Sequence, residues 1–107
     1  DIVPVVIEMV AGTFGLSVEE MMSSTRDRHK LWPRQATAYL ARKLTGLSYP
    51  KLADAFDNFN DHTTIIRAER RTILRMEEDE DFAKKLQVAE QAVRKRCGMH
   101  PASSAAR

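Results

Sequence analysis

Residues 61–64 of the chain, Asp-His-Thr-Thr, place a carboxylate, an imidazole and two hydroxyls in one short segment. These are the groups of a hydrolytic triad, and they are also groups that hydrogen-bond the bases of a nucleic acid. Neighbouring side chains on a helix point about 100° apart, so Asp61 could not orient His62 against the hydroxyl of Thr63. A triad also needs an oxyanion hole. The segment therefore favours binding, and we do not predict an enzyme.

The same residues suit DNA if they begin a helix. A helix N-terminus presents free N–H groups and a partial positive charge, which attract phosphate. His62 can hydrogen-bond a base, a threonine methyl can contact the thymine methyl, and Asp61 can cap the helix or accept from cytosine N4. Three arginines share the helix face of Thr63 and could hold phosphates beside the groove: Arg67, Arg70 and Arg71.

Two predicted helices, residues 48–56 and 61–76, flank this point. Ser48 is expected to cap the first, and the turn is expected at residues 57–60, Asp-Asn-Phe-Asn, because Asn and Asp tolerate the left-handed backbone. Two consecutive helices joined by a short turn are the arrangement of a helix-turn-helix, whose second helix enters the major groove by its N-terminal residues.

The rest of the chain also reads as helices, and no segment alternates convincingly as a strand. Further helices are predicted over residues 2–14, 17–22, 33–45 and from Asp79 or Asp81 to Gly98. Ser17 begins a capping box, and Pro33 is expected at the first position of its helix, after an exposed basic loop at 23–31. The residues expected to face the core are Ala36, Leu40, Leu44, Leu52, Ala53, Phe56, Ile65, Ile66, Ala68, Thr72, Ile73, Met76, Phe82, Leu86, Ala89 and Val93.

The charges of the chain are segregated along its length. Residues 24–51 carry seven lysines and arginines against one acid, residues 1–25 carry four acids and no base, and residues 77–81 are all acidic. A basic face is the usual electrostatic footprint of a nucleic-acid binder, although a solvated basic surface is the plainer alternative.

Composition excludes several other classes. The 107 residues are 43% hydrophobic and 30% charged, which indicates one globular domain. No apolar run reaches the roughly 20 residues that cross a bilayer, and the start lacks the features of a signal peptide. The single cysteine, Cys97, fits a reducing cytoplasm, and it forms with His100 only half of a zinc-ligand set. Because the zinc-ligand set is only half complete, we do not expect a metal. Because a phosphate-binding glycine loop is missing, we do not expect a nucleotide cofactor either. The chain does not begin with Met, as expected of a fragment or a processed chain, and residues 99–107 are expected to be a disordered tail.

Residues 32–71 resemble the signature of the C-terminal DNA-binding domain of DnaA, the bacterial replication initiator. The pieces are a Pro-Arg-Gln helix start, a Ser-x-Pro helix start, an Asp-x-Phe helix end and Asp-His-Thr-Thr, in that order, and the likeness extends over about residues 2–93. The resemblance implies an all-α fold: a compact bundle of about six helices containing a helix-turn-helix, of the Trp-repressor-like or DnaA C-terminal type. Residues 1–98 would form this domain.

The resemblance also implies roles for particular residues. Asp61, His62, Thr63 and Thr64 would read bases in the major groove of double-stranded DNA, and Arg26 would reach into the adjacent minor groove from the basic segment that also holds Arg28. The residues that would hold phosphates are Arg34, Gln35, Arg42, Tyr49 and Pro50, to which the helix pattern adds Arg67.

The chain departs from the family pattern at the turn. Four residues, Asp57 to Asn60, stand where the family usually has Gly-Gly-Arg, and Tyr49 stands where an aliphatic residue is usual. These departures favour a transcription regulator of the cytoplasm and nucleoid over a replication initiator, which stays open as an alternative. A third possibility is a helical protein-interaction module without DNA binding. Another protein, or a missing domain of the same chain, could also be a partner.

Overall fold

The computed structural model describes residues 2–23, 26–56 and 61–99. Within these ranges the chain forms six helices and no strand: α1 Val3–Thr13, α2 Val18–Met21, α3 Arg28–Thr45, α4 Tyr49–Ala55, α5 His62–Glu78 and α6 Glu80–Arg96. The radius of gyration is 12.8 Å, close to the roughly 13 Å of a compact domain of about 100 residues. The predicted all-α bundle of about six helices is confirmed.

Polar side chains begin most of the helices where the sequence predicts them. Ser17 and Glu20 form the reciprocal capping box before α2, each side chain accepting from the other residue's N–H at 3.0 Å. Ser48 caps α4, Asp61 caps α5 and Asp79 caps α6. Since the cap supplies an acceptor to N–H groups that have no partner within the helix, these local contacts fix the helix boundaries.

The prediction for the start of α3 is wrong. The helix begins at Arg28, where Asp27 Oδ1 accepts from the N–H of His29 at 2.9 Å, so the expected basic loop at 23–31 is helical in its second half. Pro33 lies inside the helix instead of at its first position. A proline there removes one helical hydrogen bond. The cap at Asp27 and the complete burial of Pro33 allow the helix to start one and a half turns earlier.

The core has two adjoining parts that α3 links. One part joins α1, α2, α3 and α6 through residues such as Val10, Leu40 and Leu86. The other joins the start of α1 to α3, α4 and α5 through residues such as Leu52 and Ile65. The second part seats both helices of the predicted helix-turn-helix against α3.

Most residues expected in the core are buried, with one correction. Ile73 was expected to supplement the buried side of α5, yet it is 42% exposed. It lies about 100° around the helix from Thr72, which is fully buried. The Trp32 and Phe82 rings pack in a T-shaped pair, 6.0 Å between centroids, so they contribute to packing between α3 and α6.

Two predicted features fall on residues that the structure does not describe. The turn expected at 57–60 lies outside the described residues, and so does the expected tail from residue 100 onwards. In the described part of the chain, no helix combines the length and apolar character needed to cross a membrane.

Candidate nucleic-acid interface

The helices α4 and α5 form the predicted pair around the Asp-His-Thr-Thr segment. Leu52 and Phe56 at the α4 side pack in the same core cluster as Ile65 and Ala68 of α5. These apolar contacts hold one side of α5 against the protein. The opposite side and the N-terminal turn of α5 are left at the surface.

The start of α5 is organised by Asp61. Its Oδ1 accepts from the N–H of Thr64 at 3.0 Å and from the Thr64 hydroxyl at 3.4 Å. The hydrogen bond from the Thr64 N–H, aided by the Thr64 hydroxyl, the Thr63 N–H and the nearby His62 imidazole, holds the pKa of the Asp61 carboxyl below its ordinary value. Asp61 and Thr64 therefore shape the helix start, and the side chains of His62 and Thr63 stand exposed beside them.

A basic and partly apolar strip continues along the exposed side of α5. The predicted face of Thr63 and the three arginines is exposed, as expected from the helical spacing. A shallow groove runs along it, lined by Thr63, Ile66, Arg67, Arg70, Arg71 and Leu74.

Arg34 of α3 is tied to the segment that leads from α2 towards Arg26. Its guanidinium donates to the backbone carbonyl of Ser23 and, at 3.4 Å, to that of Met21. Partial burial lowers the pKa of Arg34 from its ordinary value. Arg26 itself is exposed, as is Arg28, whose guanidinium lies 5.8 Å from the centre of the Trp32 ring.

A second set of contacts joins three helices at the start of α4. The Arg42 guanidinium donates to the carbonyl of Leu47 and lies 4.3 Å from the centre of the Tyr49 ring. The Tyr49 hydroxyl in turn donates to Glu69 Oε1 at 2.7 Å. This hydrogen bond, together with burial and the charge of Glu69, raises the pKa of Tyr49 although Arg42 opposes the shift. Pro50, next to Tyr49, is exposed.

Gln35 takes part in a third contact, between α3 and the end of α5. Its Oε1 accepts from Arg75 at 3.0 Å, and the Arg75 guanidinium lies 4.1 Å from the centre of the Trp32 ring. Burial and the neighbouring positive charge of Arg71 lower the pKa of Arg75. Sequence reasoning missed Glu69 and Arg75, because their partners lie 20 and 40 residues away along the chain.

The twelve predicted site residues thus fall into two groups by exposure. The exposed ones are Arg26, Arg28, Pro50, Asp61, His62, Thr63 and Arg67. The half-buried ones are Arg34, Gln35, Arg42, Tyr49 and Thr64. Four of the half-buried side chains, all except Thr64, contact other elements of the protein through the interactions described above.

An all-α bundle that seats two consecutive helices on a shared core, with the capped start of the second one exposed, is a helix-turn-helix domain. Residues 3–72 match the model of the family described as bacterial dnaA protein helix-turn-helix. The match covers about two-thirds of the chain and includes every predicted site residue. The chain belongs to the bacterial DnaA helix-turn-helix family. Membership indicates DNA binding, and the family is one of binding domains, not of catalysts.

Proposed function

We propose that this protein binds double-stranded DNA in a sequence-specific way, with the start of α5 in the major groove. His62 and Thr63 read base edges there. Asp61 and Thr64 complete this segment, residues 61–64, which we call the reading turn. The exposure of His62 and Thr63 at the capped start of a helix whose other side is buried carries this proposal. A helix fits the major groove, where each base pair shows a distinct pattern of donors and acceptors.

The remaining contacts are proposed to be with the DNA backbone and the minor groove. Arg26 reaches into the minor groove, and phosphates are held by Arg28, Arg34, Gln35, Arg42, Tyr49, Pro50 and Arg67. Phosphate contacts fix the position of a protein on the duplex and carry most of its salt dependence. The stacking of Arg42 on Tyr49 supports this assignment, since it sets the guanidinium beside the start of α4 before DNA arrives.

The biological role we propose is that of a transcription regulator acting in the cytoplasm at the nucleoid, with residues 1–98 as its DNA-binding domain and 99–107 as a tail. The four residues at 57–60 in place of the usual three favour this role over the DNA-docking domain of a replication initiator. Selection of bound duplexes from a random pool distinguishes the two. A site close to the initiator's recognition element supports replication, and an unrelated site supports the regulator.

A salt titration by fluorescence anisotropy on labelled duplexes tests DNA binding itself. The logarithm of the binding constant should fall with the logarithm of salt concentration by about 0.9 for each phosphate contacted. On the selected duplex, His62→Ala and Thr63→Ala should each cost about 1–3 kcal/mol and relax selectivity. Gln87→Ala, at an exposed position of α6, is the matched control and should bind as the unchanged protein does.

The competing function is a helical protein-interaction module, favoured by the acidic stretch at 77–81 and the amphipathic α6. Under that alternative, binding to duplex DNA would be absent or insensitive to salt. Equal behaviour of His62→Ala and Gln87→Ala on every duplex would argue against base reading by α5.

A further inference from the structure

The outer side of the second half of α5 has an apolar centre. Leu74 is 56% exposed and lies on the side of the helix away from the fully buried Thr72 and Ile65. Large apolar side chains are exposed at few other places in the described residues, namely Val18, Ile73 and Val88. Leu74 therefore marks a surface that nothing within the described chain covers.

Four charged residues are arranged symmetrically around Leu74. Viewed down the helix axis, Arg70 lies about 40° and Glu77 about 60° to one side of Leu74. Arg71 lies about 60° and Glu78 about 40° to the other side. All four are exposed. On each side the arginine precedes Leu74 by a turn and the glutamate follows it by a turn.

Within one copy, no ion pair joins any two of these four residues in the described part of the chain. Arg70 and Glu77 are seven residues apart, as are Arg71 and Glu78, which is about 10 Å along the helix axis. The ion pairs recorded among the described residues are made elsewhere, by Glu90 with Lys43 and Arg94.

The face is complementary to itself when a second helix runs in the opposite direction. A twofold axis beside Leu74 places the two Leu74 side chains together. Along the helix axis, the arginines lie about 4.5–6 Å before Leu74 and the glutamates about 4.5–6 Å after it. When the second helix runs the other way, Arg70 therefore faces Glu77 of the second copy, and Arg71 faces Glu78 of the second copy. This is the pattern of an isologous interface, in which the same patch serves both subunits.

We propose that this face of α5, centred on Leu74, is a docking surface for a second copy of the same chain, with the two α5 helices packed antiparallel. The alternation of charge selects this occupant. DNA phosphates would meet the repulsion of Glu77 and Glu78, and a uniformly acidic peptide would meet the same repulsion.

In the paired arrangement the α5 helix of the second copy does not reach the reading turn at the start of α5, residues 61–64. The α5 helix of the second copy ends at its Glu78, which lies level with Arg70 of the first copy along the helix axis. His62 of the first copy lies eight residues before Arg70, about 12 Å away along the helix axis. One pair of helix faces is small compared with the roughly 1,200–2,000 Å² of a stable interface, so the association is weak and depends on concentration. The proposal does not rest on DNA binding, and its test contains no DNA.

Disulfide trapping tests the geometry directly. In a Cys97→Ser background, which removes the native thiol, Leu74→Cys places identical thiols beside the proposed axis. Under mild oxidation its covalent dimer should form at least about tenfold faster than that of Val88→Cys, the matched control on exposed α6. Equal rates for the two variants would overturn the proposal.

Reversing the charges of the face tests the proposed pairing of arginines with glutamates. It also distinguishes cross-linking through that pairing from cross-linking through random collisions. In the Leu74→Cys background, Arg70→Glu with Arg71→Glu makes the face acidic, and Glu77→Lys with Glu78→Lys makes it basic. Each variant alone should cross-link slowly, and an equal mixture should recover the original rate as a mixed dimer. Circular dichroism confirms that each variant is folded. Failure of the mixture to recover, with both variants folded, would contradict the antiparallel register.

Discussion

Two arginines of α3 and three arginines on the outer side of α5 differ in how the protein holds them. Arg34 and Arg42 are half-buried and donate to backbone carbonyls, and Arg42 also stacks on Tyr49. Arg67, Arg70 and Arg71 are exposed on the outer side of α5. The first group is positioned before a ligand arrives, whereas ordering a long exposed side chain on binding costs about 0.5–1.5 kcal/mol.

This difference follows from where the two helices lie. The α3 helix passes through both parts of the core, so its polar side chains emerge between other elements and find partners there. The α5 helix is buried on one side only, along Ile65, Ala68 and Thr72. We therefore expect substitutions of Arg34 and Arg42 to change stability and binding together, and substitution of the exposed Arg67 to change binding alone.

The largest expected effect comes from separating α5 from α3. Ile65→Ala removes a fully buried side chain from the cluster that joins α3, α4 and α5. The loss of apolar contacts and the cavity left behind should lower the free energy of unfolding by about 2–5 kcal/mol. Urea denaturation followed by circular dichroism measures this change.

Ile73→Ala is the matched control for that experiment. Ile73 is 42% exposed on the same helix, so its truncation should change the free energy of unfolding by no more than about 0.5 kcal/mol. Similar losses for the two variants would show that α5 is buried on a different side from the one described.

Sequence patterns predicted the features that depend on near neighbours. The capping residues Ser17, Ser48 and Asp61, and Asp79 as one of two candidates for α6, each accept from an N–H three residues away, so their effect is visible in a short segment. The buried stripes of α5 and α6 follow from helical spacing alone, and among the residues expected on them only Ile73, at the margin of the α5 stripe, is exposed.

Two kinds of feature were beyond these patterns. The start of α3 was misplaced because Pro33 is a common first residue of a helix, and its burial in the core is not visible locally. The contacts of Tyr49 with Glu69 and of Gln35 with Arg75 join residues far apart in the chain. Such pairs depend on how helices pack, which the spacing within one helix does not specify.

A pair of arginine substitutions tests the contrast between the two helices directly. Arg34→Ala removes donors to the carbonyls of Ser23 and Met21, so it should lower the free energy of unfolding by about 1 kcal/mol. It should also reduce the salt slope of DNA binding by about one. Denaturation and anisotropy titration measure the two effects.

Arg67→Ala completes that comparison. It should reduce the salt slope by about one as well, yet leave the free energy of unfolding within about 0.5 kcal/mol, because Arg67 is exposed. If Arg67→Ala destabilises the protein as much as Arg34→Ala does, the distinction between held and exposed arginines is wrong.

A smaller effect is expected at the contact that fixes Tyr49. The hydrogen bond to the Glu69 carboxylate is the main cause of the raised pKa of Tyr49, and the charge of Glu69 adds to it, so Glu69→Gln should let that pKa fall towards its ordinary value. Alkaline titration of phenolate absorbance measures it in a Tyr39→Phe background, because Tyr39 and Tyr49 are the two tyrosines of the chain. Glu8→Gln, on the exposed side of α1, should leave the titration unchanged. A titration equally unaffected by Glu69→Gln would show that Glu69 does not raise the pKa of Tyr49.

The smallest effect is expected at the exposed start of α5. Hydrogen bonds from Thr64 lower the folded-state pKa of Asp61, so its ionised cap contributes stability above the ordinary carboxyl pKa of about 3.9 and loses it as the pH falls through the lowered value. Asp61→Asn keeps an oxygen acceptor but lacks the charge. Its melting temperature should be slightly below that of the unchanged protein at neutral pH, and the gap should close in acid. A gap that persists in acid would show that the Asp61 charge does not stabilise this turn.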